Sequence, residues 1–333
     1  MNMKNVIVIG GSGFIGTRLC QRFSQSLIQS FTIVDKVLSP EFPANSIKAD
    51  VRSKNDLMID PISGFAIINL AAEHRDDVRP LSLYDEVNVN GASNVCEMAR
   101  AKGISKLIFT SSVAIYGFAP IGTDEHGEAN PFNDYGRTKW EAEKIYKEWQ
   151  QEDPENRVLV ILRPTVIFGE SNRGNVFNLL RQIATGKFLM IGDGLNRKSM
   201  AYVENVAAFI EYALSFESGI HIYNYIDKPD FSMNELVGNV NVLLGRPREI
   251  KYRLPFAVGL MIGRGFDILA KLSRKKFPIS AIRVKKFCSN SVFESSIKST
   301  GFQPPVPLID AIKRTVRFEF IENKKSERLF FSE

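Results

Sequence analysis

Apolar runs of strand length alternate with helix-length segments through the first two-thirds of the 333-residue chain. The runs are rich in Val and Ile and cover Val6–Ile9, Phe31–Val34, Ala66–Leu70, Leu107–Thr110, Val158–Leu162 and His221–Tyr225. Because they are apolar on both faces, they indicate buried strands of a parallel sheet covered by helices on each side. Segments such as Ser82–Lys102 and Tyr135–Gln151 have the length of crossover helices. The sequence therefore predicts an α/β fold with a doubly wound parallel sheet.

A glycine-rich turn directly follows the first run and opens a predicted helix. It consists of Gly10, Gly11, Ser12, Gly13, Phe14, Ile15 and Gly16. Glycines allow the backbone to approach a pyrophosphate, whose charge is stabilised by the N-terminus of the following helix. The second run is followed by Asp35, 19 residues after Gly16. An acidic group there accepts hydrogen bonds from ribose hydroxyls and repels a 2′-phosphate. Although Lys36 weakens that repulsion, we predict NAD rather than NADP as the cofactor.

A further acidic turn, Asp50 followed by Val51, is a candidate for contact with the edge of the adenine. The alternative is that Asp50 is only a solvated turn residue. The sequence leaves both interpretations open.

Tyr135 and Lys139 form the second functional signal. Residues four apart on a helix share one face, so the phenol and the ammonium would project together. A free phenol has a pKa of about 10, and a neighbouring cation favours the phenolate, which is a usable base near neutral pH. Ser112 follows the run Leu107–Thr110, 23 residues before Tyr135, and its hydroxyl would reach the same crevice. We therefore take Ser112, Tyr135 and Lys139 as the candidate catalytic residues.

These motifs are similar to those of the extended short-chain dehydrogenases/reductases, in the NAD-dependent sugar epimerase/dehydratase family. The resemblance extends over nearly the whole chain, and its motifs occupy residues 10–16, 69–72, 88–91, 110–117, 135–139 and 163–170. It implies that Ser112 and Tyr135 contact the sugar hydroxyl that is oxidised. Lys139 would bind the nicotinamide ribose and lower the pKa of Tyr135. It also places Leu70, Ala71 and Ala72 along the cofactor, Pro164 and Val166 beside the nicotinamide, and Asn88 in a proton relay.

A length of 333 residues exceeds what one hydrophobic core usually fills. We expect a Rossmann NAD-binding domain over residues 1–169, which the strand near 221–225 also joins. Residues 170–333 would mainly form a smaller α/β substrate-binding region.

Three further residues resemble positions that hold a sugar diphosphate in this family. Asn175 and Arg197 match such positions, and Arg283 is a second arginine candidate. An arginine suits this role because its guanidinium can donate two hydrogen bonds to phosphate oxygens. For Arg283 the interpretation as a solvated arginine stays equally open.

Departures from the family pattern separate its subfamilies. The 4,6-dehydratases place an Asp-Glu pair directly after the catalytic hydroxyl in order to eliminate water. Here Ser112 is followed by Val113 and Ala114, so the resemblance favours an epimerase. Val166 stands where many relatives have a substrate-contacting Asn. The string Glu73–Asp77 follows a predicted strand, and it is either a sugar-recognition element or a solvated loop.

Positive charge is concentrated in residues 246–286. This basic amphipathic segment has twelve Lys and Arg residues and two acidic residues, so its net charge is +10. The net charge of the whole chain is +6, so the remaining residues together carry −4. A polar stripe on its otherwise apolar predicted helix consists of Arg264, Asp267, Lys271 and Arg274. Such a helix suits an anionic membrane surface, where each nearby cation contributes about 1 kcal/mol. The alternative is a helix packed on the core. Nucleic acid is not predicted, because no recognition motif accompanies the charge.

Several strings resemble one bacterial subgroup of the family, the 4-epimerases that act on N-acetylglucosaminyl-diphospho-undecaprenol in O-antigen assembly. They occupy residues 71–78, 163–170, 172–176, 198–202, 227–230 and 284–288. The resemblance implies interconversion of N-acetylglucosamine and N-acetylgalactosamine on a polyprenyl diphosphate, through a 4-keto sugar and transient NADH. Two alternatives stay open: the same chemistry on UDP-N-acetylglucosamine or UDP-glucose, and a non-catalytic NAD-binding sensor. We expect a homodimer.

Other features exclude several classes of protein. The three cysteines are far apart, as expected in a reducing compartment, and no Cys/His set has metal-ligand spacing, so no metal is predicted. The N-terminus lacks a signal-peptide pattern, and no window reaches the roughly 18 apolar residues of a membrane span. We therefore expect a cytoplasmic protein, and the basic amphipathic segment leaves open a peripheral contact with the inner face of the cell membrane.

Overall fold

Seven parallel strands form the central sheet of this computed structural model, which describes residues 4–26, 29–58, 60, 62–75, 78–273, 280–322 and 328–331. In chain order the strands are β1 (Lys4–Ile9), β2 (Gln29–Asp35), β3 (Ser46–Lys48), β4 (Ala66–Asn69), β5 (Lys106–Thr110), β6 (Val158–Pro164) and β10 (Gly219–Tyr225). Across the sheet their order is β10-β6-β5-β4-β1-β2-β3. The order therefore reverses beside β1, as in a doubly wound fold. The predicted fold class is confirmed.

All six predicted runs lie in this sheet, and one strand was missed. The missed strand is β3, which pairs with β2 at the sheet edge. Its three side chains are half-buried or exposed. Because β3 has three residues, of which only Ile47 packs against the core, it lacks the apolar run by which the other strands are recognised.

Helices cover both faces of the sheet. They are α1 (Phe14–Gln25), α2 (Lys54–Met58), α3 (Ser82–Tyr84), α4 (Gly91–Ala101), α5 (Asp134–Gln151) and α7 (Val203–Ala213). Apolar side chains of α1 and α7 pack on one face, and those of α2, α4 and α5 pack on the other. Residues Asp85–Asn90 form a π-helical turn between α3 and α4. Each face therefore has its own core, which explains why the strands are apolar on both sides.

The rest of the chain builds two smaller sheets and the helices around them. The strands are β7 (Val166–Phe168), β8 (Met190–Ile191), β9 (Arg197–Tyr202), β11 (Asp227–Ser232) and β12 (Arg253–Leu254). One sheet has the order β11-β9-β7 and the other pairs β12 with β8. The helices are α6 (Asn175–Ala184), α8 (Met233–Leu243), α9 (Phe256–Ser273), α10 (Ala281–Cys288) and α11 (Leu308–Val316). The Ser232–Glu235 capping box, which the sequence shows, opens α8.

Helix α9 approaches the rest of the protein closely at Gly259 and Gly263, and several of its large apolar side chains are exposed. A Cβ built at Gly263 would lie 2.8 Å from the Cα of Ala281, so α9 and α10 are in close contact there. Large apolar side chains of α9 with at least two-fifths of their surface exposed are Phe256, Met261, Ile262, Ile268 and Leu269. Arg274 of the predicted polar stripe lies outside the described residues. Among the helices described, none is long and apolar enough to cross a membrane.

Gly263 and Gly265 provide a matched test of this packing. A Cβ at Gly265 would meet no atom within 4 Å, whereas one at Gly263 would overlap the α10 backbone. Gly265→Ala should stabilise α9 by up to about 1 kcal/mol, because alanine has the higher helix propensity. Gly263→Ala should instead loosen the α9–α10 contact. Hydrogen exchange of the α9 and α10 amides should slow in the first variant and accelerate in the second. Equal effects in both variants would contradict the described packing.

Candidate active site

The candidate site lies at the edge of the main sheet where the parallel strands end. Gly10 follows β1, Leu70 follows β4 and Ser111 follows β5. The carboxyl ends of strands in such a sheet form a crevice where the strand order reverses. The fold therefore brings the glycine-rich turn and the segments after β4 and β5 to one edge.

The glycine-rich turn packs directly on the segment after β4. Gly10 has a positive φ of 76°, and its N–H donates to the Val34 carbonyl at 2.9 Å. A Cβ at Gly10 would lie 2.6 Å from the backbone nitrogen of Ala71. Asn69 fixes the far side of this contact, because its side-chain oxygen accepts from the Ala71 N–H at 3.0 Å. Only glycine fits at position 10, and the expected cofactor residues Leu70 to Ala72 adjoin the turn.

The start of α1 provides the anion-binding features expected of the turn. Gly13 is the N-terminal cap of α1, so Phe14, Ile15 and Gly16 form its first turn. The N–H groups of a first turn have no partner within the helix and carry partial positive charge. No acidic side chain stands in that turn. The local backbone thus fits a pyrophosphate.

Asp35 is held beside the same turn by two backbone N–H groups. Its carboxylate accepts from Ser12 N–H at 3.0 Å and from Val37 N–H at 3.1 Å. Burial raises the pKa of Asp35, whereas these hydrogen bonds and the charge of Lys36 lower it. An oriented acceptor at the end of β2 fits the ribose hydroxyls that the sequence assigns to it. Lys36 itself is exposed.

Asp50 lies at the rim of a cavity of about 310 Å³ and is paired with a neighbour. The Arg52 guanidinium donates to Asp50 at 2.7 Å and lowers its pKa. Glu86 and Asn90 also line this cavity. Val51 is buried in the core beneath it. The cavity gives room for an adenine, and the assignment of Asp50 and Val51 to it stays a prediction.

Ser112 and Tyr135 come together because α5 approaches the turn after β5 very closely. A Cβ at Gly136 would lie 2.5 Å from the Ala114 carbonyl oxygen. The Ser112 hydroxyl accepts from Ala114 N–H at 3.1 Å. Burial raises the pKa of Tyr135, and its hydrogen bond with Ser112 lowers it. The two predicted hydroxyls are therefore adjacent, and without further positive charge the phenol stays protonated at neutral pH.

Lys139 is almost completely buried one helical turn from Tyr135. Its Nζ donates to the Thr110 carbonyl at 2.8 Å and lies 4.7 Å from the centre of the Phe109 ring. Burial lowers the pKa of Lys139 to about 7, although the charge of Glu143 opposes this shift. The side chain is thus held at the end of β5, on the crevice side of α5. Its expected contact with the ribose stays a prediction.

A buried ion pair beneath Lys139 was missed by the sequence reasoning. Arg163 donates to both carboxylate oxygens of Glu143, at 2.9 and 2.6 Å, and to the Tyr116 hydroxyl at 2.7 Å. Neither charged side chain has more than 3% of its surface exposed. The signal was present, since Glu143 follows Tyr135 and Lys139 at the same spacing of four on α5. This pair ties α5 to β6.

Asn88 connects the segment after β4 with α5. Its side-chain oxygen accepts from the Glu73 N–H at 2.8 Å. Its side-chain nitrogen donates to the Glu73 carbonyl and to the Thr138 hydroxyl, both at 2.9 Å. It lies in the π-helical turn, a distortion often found at functional sites. Of the string Glu73–Asp77, the last two residues, Asp76 and Asp77, lie outside the described residues. Because Glu73 is hydrogen-bonded to Asn88, the string begins beside the π-helical turn, and His74 is exposed there.

The remaining predicted residues lie at the ends of other elements. Pro164 ends β6 and Val166 begins β7 at the sheet edge. Asn175 is the exposed first residue of α6. Arg197 begins β9, where it donates to the Asp230 carbonyl at 2.7 Å, and Arg283 is exposed on α10. Lys198 donates to the Lys286 carbonyl at 2.8 Å, so β9 and α10 are neighbours. The diphosphate contacts assigned to these residues stay predictions.

Comparison with known proteins agrees with this geometry. The model of the NAD dependent epimerase/dehydratase family matches residues 6–225. The chain is 46% identical to the N-acetyl-alpha-D-glucosaminyl-diphospho-ditrans,octacis-undecaprenol 4-epimerase of Escherichia coli O157:H7, with 99% of each chain aligned. It is 26% identical to the UDP-glucose 4-epimerase of Vibrio cholerae, with 94% of this chain and 95% of that protein aligned.

Solved structures confirm the fold. The UDP-N-acetylglucosamine 4-epimerase from Bacillus cereus superposes with a TM-score of 0.72 at 16% identity, over 94% of this chain and 98% of that chain. The UDP-glucuronic acid 4-epimerase from Bacillus cereus, in complex with NAD, superposes with a TM-score of 0.70 at 18% identity, again over 94% of this chain and 98% of that chain. As the resemblance predicted, the chain belongs to the NAD-dependent epimerase/dehydratase family of enzymes, with NAD as its cofactor.

Proposed function

We propose that the protein inverts C4 of an N-acetylhexosamine carried on undecaprenyl diphosphate, and so interconverts N-acetylglucosamine and N-acetylgalactosamine. The identity of 46% over 99% of both chains with the Escherichia coli undecaprenol-linked epimerase carries the choice of substrate. The adjacent Ser112 and Tyr135 beside buried Lys139 support the chemistry. UDP-sugars are the alternative substrates, since the Vibrio cholerae relative is a UDP-glucose 4-epimerase.

The three catalytic residues would move one proton and hold the reacting oxygen. NAD, when bound, supplies an acceptor for the C4 hydride and can return it to the opposite face of the 4-keto sugar. Tyr135 as phenolate removes the proton of the C4 hydroxyl, while Ser112 hydrogen-bonds the same oxygen. Burial favours the neutral forms of both Tyr135 and Lys139. Opposite charges on the two groups therefore stabilise each other more than they would in water.

The segment after Ser112 favours epimerisation over elimination of water. Val113 and Ala114 occupy the positions of the dehydratase acid and base, and the Ala114 carbonyl packs on Gly136. Neither side chain can donate or accept a proton. A keto sugar formed here would lack the groups that remove water from it, so it would be reduced again.

Tyr135→Phe tests the proposed base. Loss of the phenolic oxygen should lower kcat by about 10²- to 10⁴-fold, the usual contribution of a general base, while bound NAD is retained. The control is Tyr252→Phe, which removes the same atom from a tyrosine that is 55% exposed. Epimerisation can be followed by separating the two sugar products, and NAD can be measured in the denatured protein. Activity near that of the control would contradict the assignment.

A basic and apolar surface adjoins the candidate site and suits a lipid-linked substrate. The Nζ of Lys286 on α10 lies 4.5 Å from the centre of the Phe132 ring, and Phe132 stacks on Phe118 at 4.8 Å. Phe132 precedes Tyr135 by three residues, and Phe118 is 68% exposed. Helix α9, which carries the exposed apolar residues, packs against α10. We propose that this surface lies on the anionic inner face of the cell membrane, as a peripheral contact.

The choice between carriers can be tested directly. Purified protein should convert N-acetylglucosaminyl-diphospho-undecaprenol in detergent or vesicles, and UDP-N-acetylglucosamine much more slowly. In the lipid-linked substrate the diphosphate carries an apolar polyprenyl chain, which the exposed apolar residues of α9 can contact. In UDP-N-acetylglucosamine it carries a polar nucleoside, which gains nothing from that surface. Conversion of UDP-sugars alone would reject the lipid-linked substrate. Turnover of neither, with NAD still bound, would favour the non-catalytic sensor.

The membrane contact can be tested with matched pairs of substitutions. Ile262→Glu combined with Leu269→Glu alters two α9 residues that are 43% and 50% exposed. The control combines Ile309→Glu with Val242→Glu, at residues that are 42% and 53% exposed on α11 and α8. The α9 pair should reduce co-sedimentation with phosphatidylglycerol vesicles at least tenfold, because it removes apolar contact and adds like charge. Equal sedimentation of both double variants would argue that α9 does not face the membrane.

A further inference from the structure

Residues 328–331 run across the glycine-rich turn, although they are more than 300 positions away in the sequence. The Phe330 N–H donates to the Ser171 carbonyl at 2.9 Å, and its carbonyl accepts from Arg173 N–H at 2.7 Å. The Phe330 ring lies 5.5 Å from the ring of Phe14, the first residue of α1. We call residues 328–331 the C-terminal strap.

The loop of residues 171–173, which binds Phe330, is itself held by Glu319. Ser171 has a positive φ of 69°, a conformation that is uncommon for a residue other than glycine. The Glu319 carboxylate accepts from Ser171 N–H at 2.8 Å and from the Arg173 guanidinium at 3.0 Å. Only 4% of the Glu319 side chain is exposed. A buried carboxylate therefore holds the backbone on which Phe330 is seated.

Arg328 of the strap lies beside the N-terminus of α1, which carries a partial positive charge of its own. Arg328 donates to the Ser12 carbonyl in the glycine-rich turn, and its guanidinium lies 4.9 Å from the Phe330 ring. The N-terminus of α1, which carries partial positive charge, is formed by the same turn. The charge of Arg328 also lowers the pKa of Asp35, so the guanidinium lies within electrostatic reach of that carboxylate as well as of the turn. A pyrophosphate bound at the turn would give the same guanidinium a second anion to bind.

We propose that the C-terminal strap holds the ADP half of NAD in place, with Arg328 binding the pyrophosphate and the strap slowing release of the cofactor. The Ser12 contact puts Arg328 on the turn that fits the pyrophosphate. The contacts of Phe330 with Phe14 and the 171–173 loop close the strap over it. The proposal requires NAD but does not depend on which sugar the enzyme takes.

Release of labelled NAD from the intact holoenzyme tests the strap. Enzyme carrying radiolabelled NAD is mixed with excess unlabelled NAD, and the loss of label is followed over time. Arg328→Gln should accelerate release about tenfold or more, since a hydrogen bond to a charged group is removed. Phe330→Ala should also accelerate it, because the strap loses its anchor. The control Arg317→Gln removes the same charge from an exposed arginine and should change the rate less than about twofold. Wild-type rates in both strap variants would overturn the proposal.

Competition with NADH, read by cofactor fluorescence, locates the charge. Arg328→Gln should weaken binding of ADP about tenfold and leave binding of adenosine unchanged, since adenosine lacks the pyrophosphate. Equal loss for both competitors would overturn the assignment to the pyrophosphate. Thermal unfolding of each variant shows whether it folds. If Phe330→Ala does not fold, the ADP and adenosine affinities of Arg328→Gln still decide.

Discussion

Close backbone approach at glycines is the constraint on which the candidate site depends. Gly10 brings the cofactor turn against Ala71, and Gly136 brings α5 against Ala114. A Cβ at either position would lie 2.6 Å or less from a backbone atom of the neighbouring segment. Backbone cannot yield as a flexible side chain does, so the two segments would have to separate. The absence of a Cβ at Gly10 and Gly136 thus allows the two pairs of segments to lie as close together as the site requires. The hydrogen bonds of Ser112 and Asn69 then fix the local backbone.

Buried charge supplies the second level of organisation. Tyr135, Lys139 and Glu143 follow one another at a spacing of four on α5, and Arg163 of β6 pairs with the last of them. Removing one partner of a buried ion pair typically costs about 3–5 kcal/mol, because the other charge is left without compensation. The pair therefore holds α5, which carries the proposed catalytic residues, against β6, and its carboxylate opposes the loss of charge on Lys139. The proposed catalytic residues and the carboxylate of the structural ion pair therefore share one face of α5.

Much of this could be predicted from the sequence, and the failures have physical causes. Strands of the main sheet are apolar on both faces, and the Ser232–Glu235 cap is local, so both are visible in the sequence. β3 is half-exposed and was missed. The spacing of four on α5 marks Glu143, but its partner Arg163 lies 20 positions away on another element, and Arg328 lies 316 positions from Ser12. Local patterns do not show which distant residue such a group will meet. The exposure of the large apolar residues of α9 also depends on tertiary packing, because α9 approaches α10 most closely at Gly263.

The distribution of contacts separates the cofactor end of the site from the substrate end. The glycine-rich turn, Asp35 and the C-terminal strap lie together beside β1 and β2, and Phe132 with α10 adjoins the start of α5. A reaction that restores its cofactor within each turnover gains nothing from exchanging it. Slow release at the first end is therefore compatible with rapid exchange of sugar at the second. Within the described residues, the proposed membrane surface adjoins Phe132 and α10 rather than the strap, so the proposed lipid-linked sugar would enter and leave without displacing the strap.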